Sequence, residues 1–486
     1  MEFFTGLLTN LLVGFVSAIL LVFNTAPIDK TQSKIDLTDY VLTFADEFEG
    51  DALDHNIWEI RSSDRPVRRG GYWSIDQTKV KDGNLVITTE YKPDGEYGTG
   101  WYTAGITTEN RFEQTYGYYE CRCILPKGNG LWSAFWLTNE NVGALTTGNA
   151  RKGAEIDVFE SPYYHLGEGK RNKVTSNIHY NGYSLLTRYK NVAITKLDNN
   201  PYEEYNTYGL KWTKDEYIYY INGYEVGRSA YGGVSGENEY MLLSCEVEGA
   251  EARTTNGWSG NIETNGKDFS TEFKVDYVRV YQKKEANTII DRNEIVNLYK
   301  SAAEKTDADE VLCHKQLTFK DAESKKTAFD KFMKTVFPGF EKEYSGDIDR
   351  ITGDYKNLTV NDISAAKATI DGKYTTIQLQ LRDQCDFLDL TSFNPVGHGI
   401  DTQQNVKAVI ESIDGVKFDF AEDGGVMFVA FKPKITVKID NETGKIVSGQ
   451  WSYTLYTDIY NAVATGADFK ENVDYRRYTF DYTVTL

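Results

Sequence analysis

The feature that most constrains this chain is a run of acidic residues separated only by β-forming residues. Residues 155–160 read Glu-Ile-Asp-Val-Phe-Glu, and isoleucine, valine and phenylalanine favour a strand. Because side chains alternate along a strand, Glu155 and Asp157 share one face and Glu160 falls on the other. One β-bulge between Asp157 and Glu160 would return Glu160 to the first face. The run therefore predicts a bulged strand that presents three carboxylates together.

Three carboxylates on one face suit the cleavage of glycosidic bonds. A retaining glycosidase uses two carboxyl groups ~5–5.5 Å apart, one as nucleophile and one as acid/base. In this hypothesis Glu155 attacks the anomeric carbon, and Glu160 protonates the leaving oxygen and then activates water. Asp157 lies between them, can hydrogen-bond to the nucleophile, and helps to keep the acid protonated by like-charge repulsion. Taken alone, the triplet is equally consistent with a solvated strand edge or a set of calcium ligands.

A second strand-like segment, upstream of the acidic run, carries two tryptophans. Residues 131–137 read Leu-Trp-Ser-Ala-Phe-Trp-Leu. Alternation places Trp132 and Trp136 on one face and Phe135 on the other. Flat aromatic rings stack well against sugar rings, but they also pack readily in cores. The segment alone leaves both interpretations open.

Composition and charge restrict the partners of the chain. A length of 486 residues is sufficient for two or three domains. The formal net charge of −19 argues against nucleic acid as a partner, whereas a neutral polysaccharide is indifferent to it. The cysteines are odd in number and widely spaced, which argues against a disulfide scaffold and favours small buried apolar residues. No histidine accompanies the Cys121-Arg-Cys123 pair, so a zinc site is not expected there.

The N-terminal segment indicates the cellular address. Residues 3–23 form a nearly uninterrupted apolar run without charge, long enough to cross a bilayer and typical of export signals. Glu2 precedes the run and the first basic residues, Lys30 and Lys34, follow it, which is the reverse of the usual charge distribution. We predict that residues 1–26 are a cleaved signal peptide or an uncleaved membrane anchor, and that the protein is secreted or attached to the cell surface. A buried core helix is the alternative.

Residues 27–39 are predicted to form a polar linker. After this linker, turn signals divide the chain into short segments. From residue 40 to residue 282, short strand-like segments alternate with turns such as Asp82-Gly83 and Asn222-Gly223. Two-residue turns of this composition join antiparallel strands. Many short strands joined in this way predict an all-β sandwich.

The pattern changes in residues 290–486. Asp291 and Glu294 are spaced for a capping box at the start of a helix. A second helix is predicted near residues 321–337, with Pro338-Gly339 as its end. Alternating strand-like segments follow, which predicts a separate α+β domain of unknown role.

Five motifs occur in one order within residues 40–282. They are Asp46-Glu-Phe-Glu-Gly50 followed by Leu53-Asp54 and Trp58, Tyr116-Gly-Tyr-Tyr-Glu-Cys-Arg122, Trp132-Ser-Ala-Phe-Trp136, the acidic run, and Val275-Asp-Tyr-Val-Arg-Val-Tyr281. Together they resemble the sequence of glycoside hydrolase family 16. Ser133 stands where the family commonly has proline, and residues 68–73, Arg-Arg-Gly-Gly-Tyr-Trp, fall in a stretch often involved in substrate contacts but receive no assignment. The resemblance implies a jelly-roll, concanavalin-like sandwich with an open cleft on its concave face.

The resemblance also implies a role for each matching residue. Glu155 matches the nucleophile, Asp157 the assisting carboxylate and Glu160 the acid/base. Trp132 and Trp136 match sugar-stacking positions, Glu120 and Arg122 match residues that hydrogen-bond glucose, and His179 resembles a histidine near the scissile bond. A structural calcium, away from catalysis, would be held by Glu47, the carbonyl of Gly83 and Asp276. No cofactor is implied for catalysis.

The implied activity is retaining endo-hydrolysis of a β-linked polysaccharide. A β-1,3- or mixed β-1,3/1,4-glucan is the first expectation, although agarase- and carrageenase-type members share the bulged run. Transfer of the covalent intermediate to a sugar would give a transglycosylase instead. A non-catalytic glycan-binding protein is the alternative from another class, but it has no need of both glutamates. A third interpretation is a surface anchor whose distal domain docks a partner.

Overall fold

The computed structural model describes residues 25–60, 67–143, 148–167, 171–183, 186–249, 258–309, 311–322, 327–386, 394–401 and 413–486. The chain divides into two compact units, Met1–Lys284 and Glu285–Leu486. In the ranges just given, no helix is both long enough and apolar enough to cross a membrane. The apolar run at residues 3–23 lies outside the described residues.

The first unit is built almost entirely from strands. In chain order they are β1 (Thr25–Pro27), β2 (Tyr40–Asp46), β3 (Glu59–Ile60), β4 (Val67–Arg68), β5 (Gly71–Trp73), β6 (Thr78–Lys81), β7 (Asn84–Lys92), β8 (Gly100–Thr103), β9 (Gly105–Thr107), β10 (Gly117–Ile124), β11 (Leu131–Thr138), β12 (Glu155–Ser161), β13 (Lys173–Tyr180), β14 (Arg188–Lys196), β15 (Asn206–Trp212), β16 (Tyr217–Ile221), β17 (Tyr224–Ser229), β18 (Tyr240–Val247) and β19 (Ser270–Lys283).

These strands form two sheets that pack face to face. The eight-stranded sheet has the order β1-β14-β13-β12-β11-β18-β9-β3. The eleven-stranded sheet has the order β17-β16-β15-β10-β19-β7-β8-β5-β4, with β2 paired to β19 and β6 to β7. Side chains of both sheets share one apolar core, in which the rings of Phe159 and Tyr208 lie 4.2 Å apart between centroids. The predicted all-β jelly-roll sandwich is confirmed.

Two tight turns show how the sequence directs the strand pairing. Asn222 and Gly223 join β16 to β17 with φ angles of 53° and 82°. Asp82 and Gly83 join β6 to β7 with φ angles of 52° and 68°. Positive φ at both positions matches the right-handed twist of the flanking strands, and asparagine, aspartate and glycine tolerate it best. Both predicted turns are confirmed.

Alternation along β10 separates core from surface. Tyr119, Cys121 and Cys123 are fully buried in the shared core. The intervening Glu120 and Arg122 are partly exposed and therefore lie on the outer face of the eleven-stranded sheet. The cysteines of this strand are free and buried, as predicted, whereas Cys385 of the second unit is exposed.

The second unit combines helices with one large antiparallel sheet. Its elements are β20 (Thr288–Ile289), α1 (Arg292–Asp307), β21 (Cys313–Ala322), α2 (Ala328–Glu343), β22 (Gly346–Ile348), β23 (Ile363–Asp371), β24 (Tyr374–Leu381), β25 (Gln384–Asp386), α3 (Pro395–Gly399), β26 (Val416–Asp440), β27 (Ile446–Gly466) and β28 (Lys470–Thr485). The sheet has the order β20-β23-β24-β26-β27-β28-β21-β22, with β25 paired to β26. Tyr299 of α1 and Phe337 of α2 belong to the same apolar core as the sheet, which confirms the α+β character.

The second helix of this unit differs from its prediction at both ends. It begins after Thr327, whose side chain forms a capping box with Asp330, and residues 321–322 belong to β21. It continues through Pro338 to Glu343. Proline inside a helix costs about 3 kcal/mol, but aromatic residues pack on both sides of it. Phe337 lies 4.4 Å from Phe319 between ring centroids, and Phe340 packs against the same core. Tertiary packing therefore overrides the local stop signal.

Candidate active site

A bulge in β12 brings the three acids of residues 155–160 to one face. Glu155 pairs with His179 of β13 and Asp157 with Asn177, but Glu160 pairs with Thr175. Three residues of β12 thus span the same distance as two residues of β13, which is the register shift of a β-bulge. Ile156 and Phe159 point into the core, so the acids lie on the opposite, outer face of the eight-stranded sheet. We call this outer face the site face.

Glu155 is held by a tyrosine that the sequence did not predict. The Tyr183 hydroxyl donates a hydrogen bond of 2.6 Å to Glu155 Oε2. Burial and the neighbouring Asp157 charge raise the pKa of Glu155, while His179 and the Tyr183 hydrogen bond lower it, with a result of about 7. Glu155 therefore changes its charge near neutral pH.

Glu160 is fixed through both carboxyl oxygens. Trp132 Nε1 donates to Oε1 at 2.8 Å, and Asn177 Nδ2 donates to Oε2. Only 5% of Glu160 is exposed. Burial and the Asp157 charge raise the pKa of Glu160 well above its usual range, against the opposing effects of His179 and Asn177. Glu160 thus favours its protonated form.

An ion pair lies between the two glutamates. His179 Nε2 is 3.3 Å from Asp157 Oδ2, an oxygen that has no hydrogen bond of good geometry. Burial alone would lower the pKa of His179, but Asp157, Glu155 and Glu160 raise it to about 10. His179 is therefore charged at neutral pH and partly balances the acids.

The same residues are the candidate ligands for a cation. Among the described residues, Glu155, Asp157 and His179 form a group whose potential ligand atoms all lie within 4.8 Å of one another. A metal ligand must be a neutral imidazole, and His179 has a raised pKa of about 10. The imidazolium places a positive charge beside the two carboxylates.

Trp132 and Trp136 both lie on the site face. In the ladder between β11 and β12, Ala134 pairs with Glu160 and Trp136 pairs with Asp157. The face of β11 that carries the tryptophans therefore lies beside the acids. The Trp136 indole donates a 3.0 Å hydrogen bond to Ser244 Oγ. The Trp132 ring lies 4.7 Å from that of Trp258 between centroids, in an edge-to-face arrangement. Trp132 thus contacts the candidate acid/base directly, in addition to any contact with sugar.

An arginine pair from the unassigned stretch at residues 68–73 joins the site face beside Trp132. The Arg69 guanidinium lies over the Trp132 ring at 4.3 Å and 3.0 Å from Glu246 Oε2. Arg68 donates to the other oxygen of Glu246, and Arg69 also reaches Glu248 at 3.3 Å. Glu246 lies directly across the ladder from Trp132. The stretch therefore forms a charged border of the site face.

Glu120 and Arg122 do not belong to this face, and their prediction as substrate-binding residues is wrong. They lie on β10, in the other sheet, and point away from the core. Glu120 accepts hydrogen bonds of 2.8 Å from both Tyr118 and Tyr277, and Arg122 pairs with Asp276. The local pattern sets which residues alternate, but the sheet that a strand joins depends on distant pairing.

The residues predicted to bind calcium do not fit a calcium site. Glu47 accepts hydrogen bonds of 2.7 and 2.8 Å from Arg279 through its two oxygens. Asp276 pairs with Arg122. The guanidinium groups repel a dication, and they occupy the carboxylate oxygens that it would need as ligands. Gly83 serves the tight turn between β6 and β7.

The sequence motifs do not indicate several residues of the site. Asn177 could have been found, because it is two residues before His179 on one strand and so shares its face. Tyr183 follows that strand in a turn, and Asn191 lies on the neighbouring β14. Neither has a local pattern that points to the acids, since tertiary pairing alone brings them there.

The fold and these contacts define a β-sandwich protein with a paired-glutamate site on the outer face of one sheet. The family model of the glycoside hydrolase family 16 domain of beta-porphyranases A–D matches residues 39–283. The chain belongs to glycoside hydrolase family 16.

Curated relatives span several activities. The chain is 29% identical over 215 residues to the endo-1,3-1,4-beta-glycanase EglC of Rhizobium meliloti. This alignment covers 43% of this chain and 40% of that protein. It is 28% identical over 190 residues to beta-porphyranase B of Zobellia galactanivorans. That alignment covers 37% of this chain and 64% of the porphyranase. The chain thus spans less than two thirds of the length of these relatives.

Solved structures also align with part of the chain. The catalytic domain of an endo-1,3-beta-glucanase (laminarinase) from Thermotoga petrophila is 25% identical, with a TM-score of 0.41. The alignment covers 51% of this chain and 99% of that domain.

Proposed function

We propose that this chain is a retaining endo-glycosidase that cleaves a β-linked polysaccharide by double displacement. The observation that carries the proposal is the bulge that sets Glu155 and Glu160 on one face with the Asp157–His179 pair between them. Membership of glycoside hydrolase family 16 supports it. Two carboxyl groups with different environments are the arrangement that such a reaction needs.

In the first step, Glu155 acts as the nucleophile. Its carboxylate attacks the anomeric carbon, and the bond from that carbon to the leaving oxygen breaks. Glu160 gives its proton to the leaving oxygen and becomes a carboxylate. The surroundings favour this division, because Tyr183 stabilises ionised Glu155 and burial favours protonated Glu160.

In the second step, water replaces Glu155 at the anomeric carbon. The Glu160 carboxylate takes a proton from the water as the water attacks, and the ester bond to Glu155 breaks. Glu160 is then protonated and Glu155 ionised, as at the start. Two inversions give net retention of configuration. A sugar hydroxyl in place of water would make the same site a transglycosylase.

For the substrate we propose a β-1,3- or mixed β-1,3/1,4-glucan, supported by the activity named for EglC. A β-galactan is the second candidate, because the family model that matches is that of porphyranases. The arginine border formed by Arg68 and Arg69 is compatible with either, since Glu246 and Glu248 already balance its charge.

Release of reducing ends from laminarin, lichenan, agarose, porphyran and carrageenan tests the proposal. We expect wild-type protein to cleave at least one of them, and Glu155→Ala and Glu160→Ala to lower the rate by at least ~10³-fold. Glu120→Gln is the matched control, because Glu120 is a hydrogen-bonded carboxylate on the outer face of the other sheet. Equal release by wild-type and Glu155→Ala protein across the panel would leave only a glycan-binding role.

We further propose that the protein is exported, either released or held at the cell surface. The apolar, uncharged run at residues 3–23 supports export, and so does a polymeric substrate. Cell fractionation with N-terminal sequencing tests this proposal. Full-length protein found only in the cytoplasm would contradict it.

A further inference from the structure

Asn177 lies at the centre of the site face without a role in the proposed reaction. It is directly opposite Asp157 in the β12–β13 ladder, and only 3% of it is exposed. Its Nδ2 group donates to Glu160 Oε2. The opposite oxygen of Glu160 accepts from Trp132. The Glu160 carboxyl group therefore lies between two fixed donors from neighbouring strands.

The orientation of the Asn177 amide is itself fixed. Asn191 Nδ2 donates to Asn177 Oδ1 at 2.5 Å, and the Thr175 hydroxyl lies 3.1 Å from the same oxygen. Because Asn191 donates to the amide oxygen, only the NH₂ end can face Glu160. A register shift between β13 and β14 sets Asn191 beside Asn177. The chain of contacts Asn191–Asn177–Glu160 thus crosses three adjacent strands.

We propose that Asn177, oriented by Asn191, is a positioning residue for the proton transfers of Glu160. The proposal rests on the proposed function. An amide N–H binds a carboxylate more strongly than a carboxylic acid. Asn177 therefore stabilises Glu160 most after it has given up its proton, which is the state reached when the glycosidic bond breaks. It also prevents rotation of the carboxyl group away from the leaving oxygen.

The charges around Glu160 explain why such a donor is needed. Burial, Asp157 and Glu155 all favour the protonated form of Glu160, and Tyr163 lies close enough to sense its charge. His179 and Asn177 favour the ionised form. Without Asn177, Glu160 holds its proton more tightly and releases it to the substrate less readily.

The direct test is titration of the Glu160 carboxyl group in full-length protein. Nuclear magnetic resonance of protein labelled with ¹³C at the glutamate carboxyl carbons follows each group, and the signal lost in Glu160→Gln identifies the right one. Asn177→Leu removes the donor at similar volume. We expect the titration midpoint of Glu160 to rise by about one pH unit, which is the size of a lost hydrogen bond to a charged group.

Two further variants keep the test decisive. Asn191→Ala leaves Asn177 in place but frees its amide, and we expect a smaller rise; it decides the matter if Asn177→Leu does not fold. Ser176→Ala is the control, because Ser176 is equally buried and donates to the Val158 carbonyl of the same strand, not to Glu160. We expect no shift in Ser176→Ala.

An unchanged or lowered midpoint in folded Asn177→Leu or Asn191→Ala would overturn the proposal. In kinetics, the alkaline limb of the kcat/KM profile should move to higher pH in Asn177→Leu, while KM stays nearly constant. If wild-type protein cleaves no glycan, the proposed function fails, but the titration still decides whether Asn177 controls the proton of Glu160.

Discussion

At the scale of single residues, His179 carries the positive charge that opposes the effects of burial and of Asp157 on the pKa of both glutamates. It lowers the pKa of Glu155 and of Glu160, against burial and the Asp157 charge. In the proposed mechanism, Glu155 must be ionised and Glu160 protonated. Activity should therefore fall as the pH drops through about 7, the pKa of Glu155, and fall again at high pH as Glu160 loses its proton.

We predict that His179→Gln moves both limbs of the kcat/KM profile to higher pH. Removal of an opposite charge a few ångströms away raises the pKa of a carboxyl group by about one unit. The measurement is kcat/KM against pH for wild-type and variant protein. His314→Gln, which removes an exposed histidine paired with Asp347 in the second unit, should leave the profile unchanged. A downward shift in His179→Gln would refute the assigned charge of His179.

The sequence predicts the residues of the site only where local alternation decides their position. Glu155, Asp157 and His179 follow from strand periodicity and the resemblance, and Glu160 needs one bulge in addition. Glu120 and Arg122 fit their motif equally well but lie in the other sheet. Nothing within β10 encodes its sheet, because the pairing of β10 with β15 and β19 depends on residues far away in the chain.

At the scale of secondary-structure elements, the bulge of β12 is the device that assembles the site. Regular pairing from Asp157 onward would turn Glu160 toward the core, where its charge would be buried without partners. The bulge keeps Phe159 in the core and Glu160 on the site face. The bulged shape of β12 thus matters to the site as much as the identity of its acids.

Deletion of Val158 leaves Glu-Ile-Asp-Phe-Glu, in which regular alternation keeps Phe159 toward the core and all three acids on the site face, so we predict that this variant retains activity without a bulge. Val158→Ala is the matched control, since it keeps the bulge and costs only about 1–3 kcal/mol of unfolding free energy. Activity assays should be paired with circular dichroism of both variants. A folded deletion variant without activity would contradict the view that the bulge serves only to keep the three acids on one face.

The helix α2 shows tertiary contacts overriding a local signal. Pro338 lies inside it, between Phe337 and Phe340, which pack on the core of the second unit. We predict that Pro338→Ala stabilises this unit by roughly 2 kcal/mol, since it restores a helical hydrogen bond and removes a steric clash, less the gain in unfolded-chain entropy. Calorimetry measures the change, with the exposed Lys331→Ala as control. Destabilisation by Pro338→Ala would mean that the helix breaks there.

At the scale of the whole molecule, every described residue of the candidate site belongs to the first unit, Met1–Lys284. The second unit has its own core and its own nine-stranded sheet. Its sequence predicts an α+β domain but not a role, because helix and strand patterns specify packing and carry no motif for a ligand.

We predict that separation of the units leaves the chemistry intact. A protease site inserted after Lys284 allows the chain to be cut once the whole protein has folded. The value of kcat/KM on a soluble oligosaccharide should be the same before and after cleavage. The uncut insertion variant is the control for the insertion itself. A large loss on a soluble substrate would mean that the second unit contributes to the site.

In the proposed mechanism, Glu155 and Glu160 act as nucleophile and acid/base of a double displacement. The most direct measurement is covalent trapping with a 2-deoxy-2-fluoro glycoside of the sugar that the substrate panel identifies, followed by mass spectrometry of the digested protein. We predict one sugar ester on Glu155, and no label in Glu155→Gln. A label on Glu160 would contradict this mechanism, as would products of inverted configuration from an active enzyme that forms no ester.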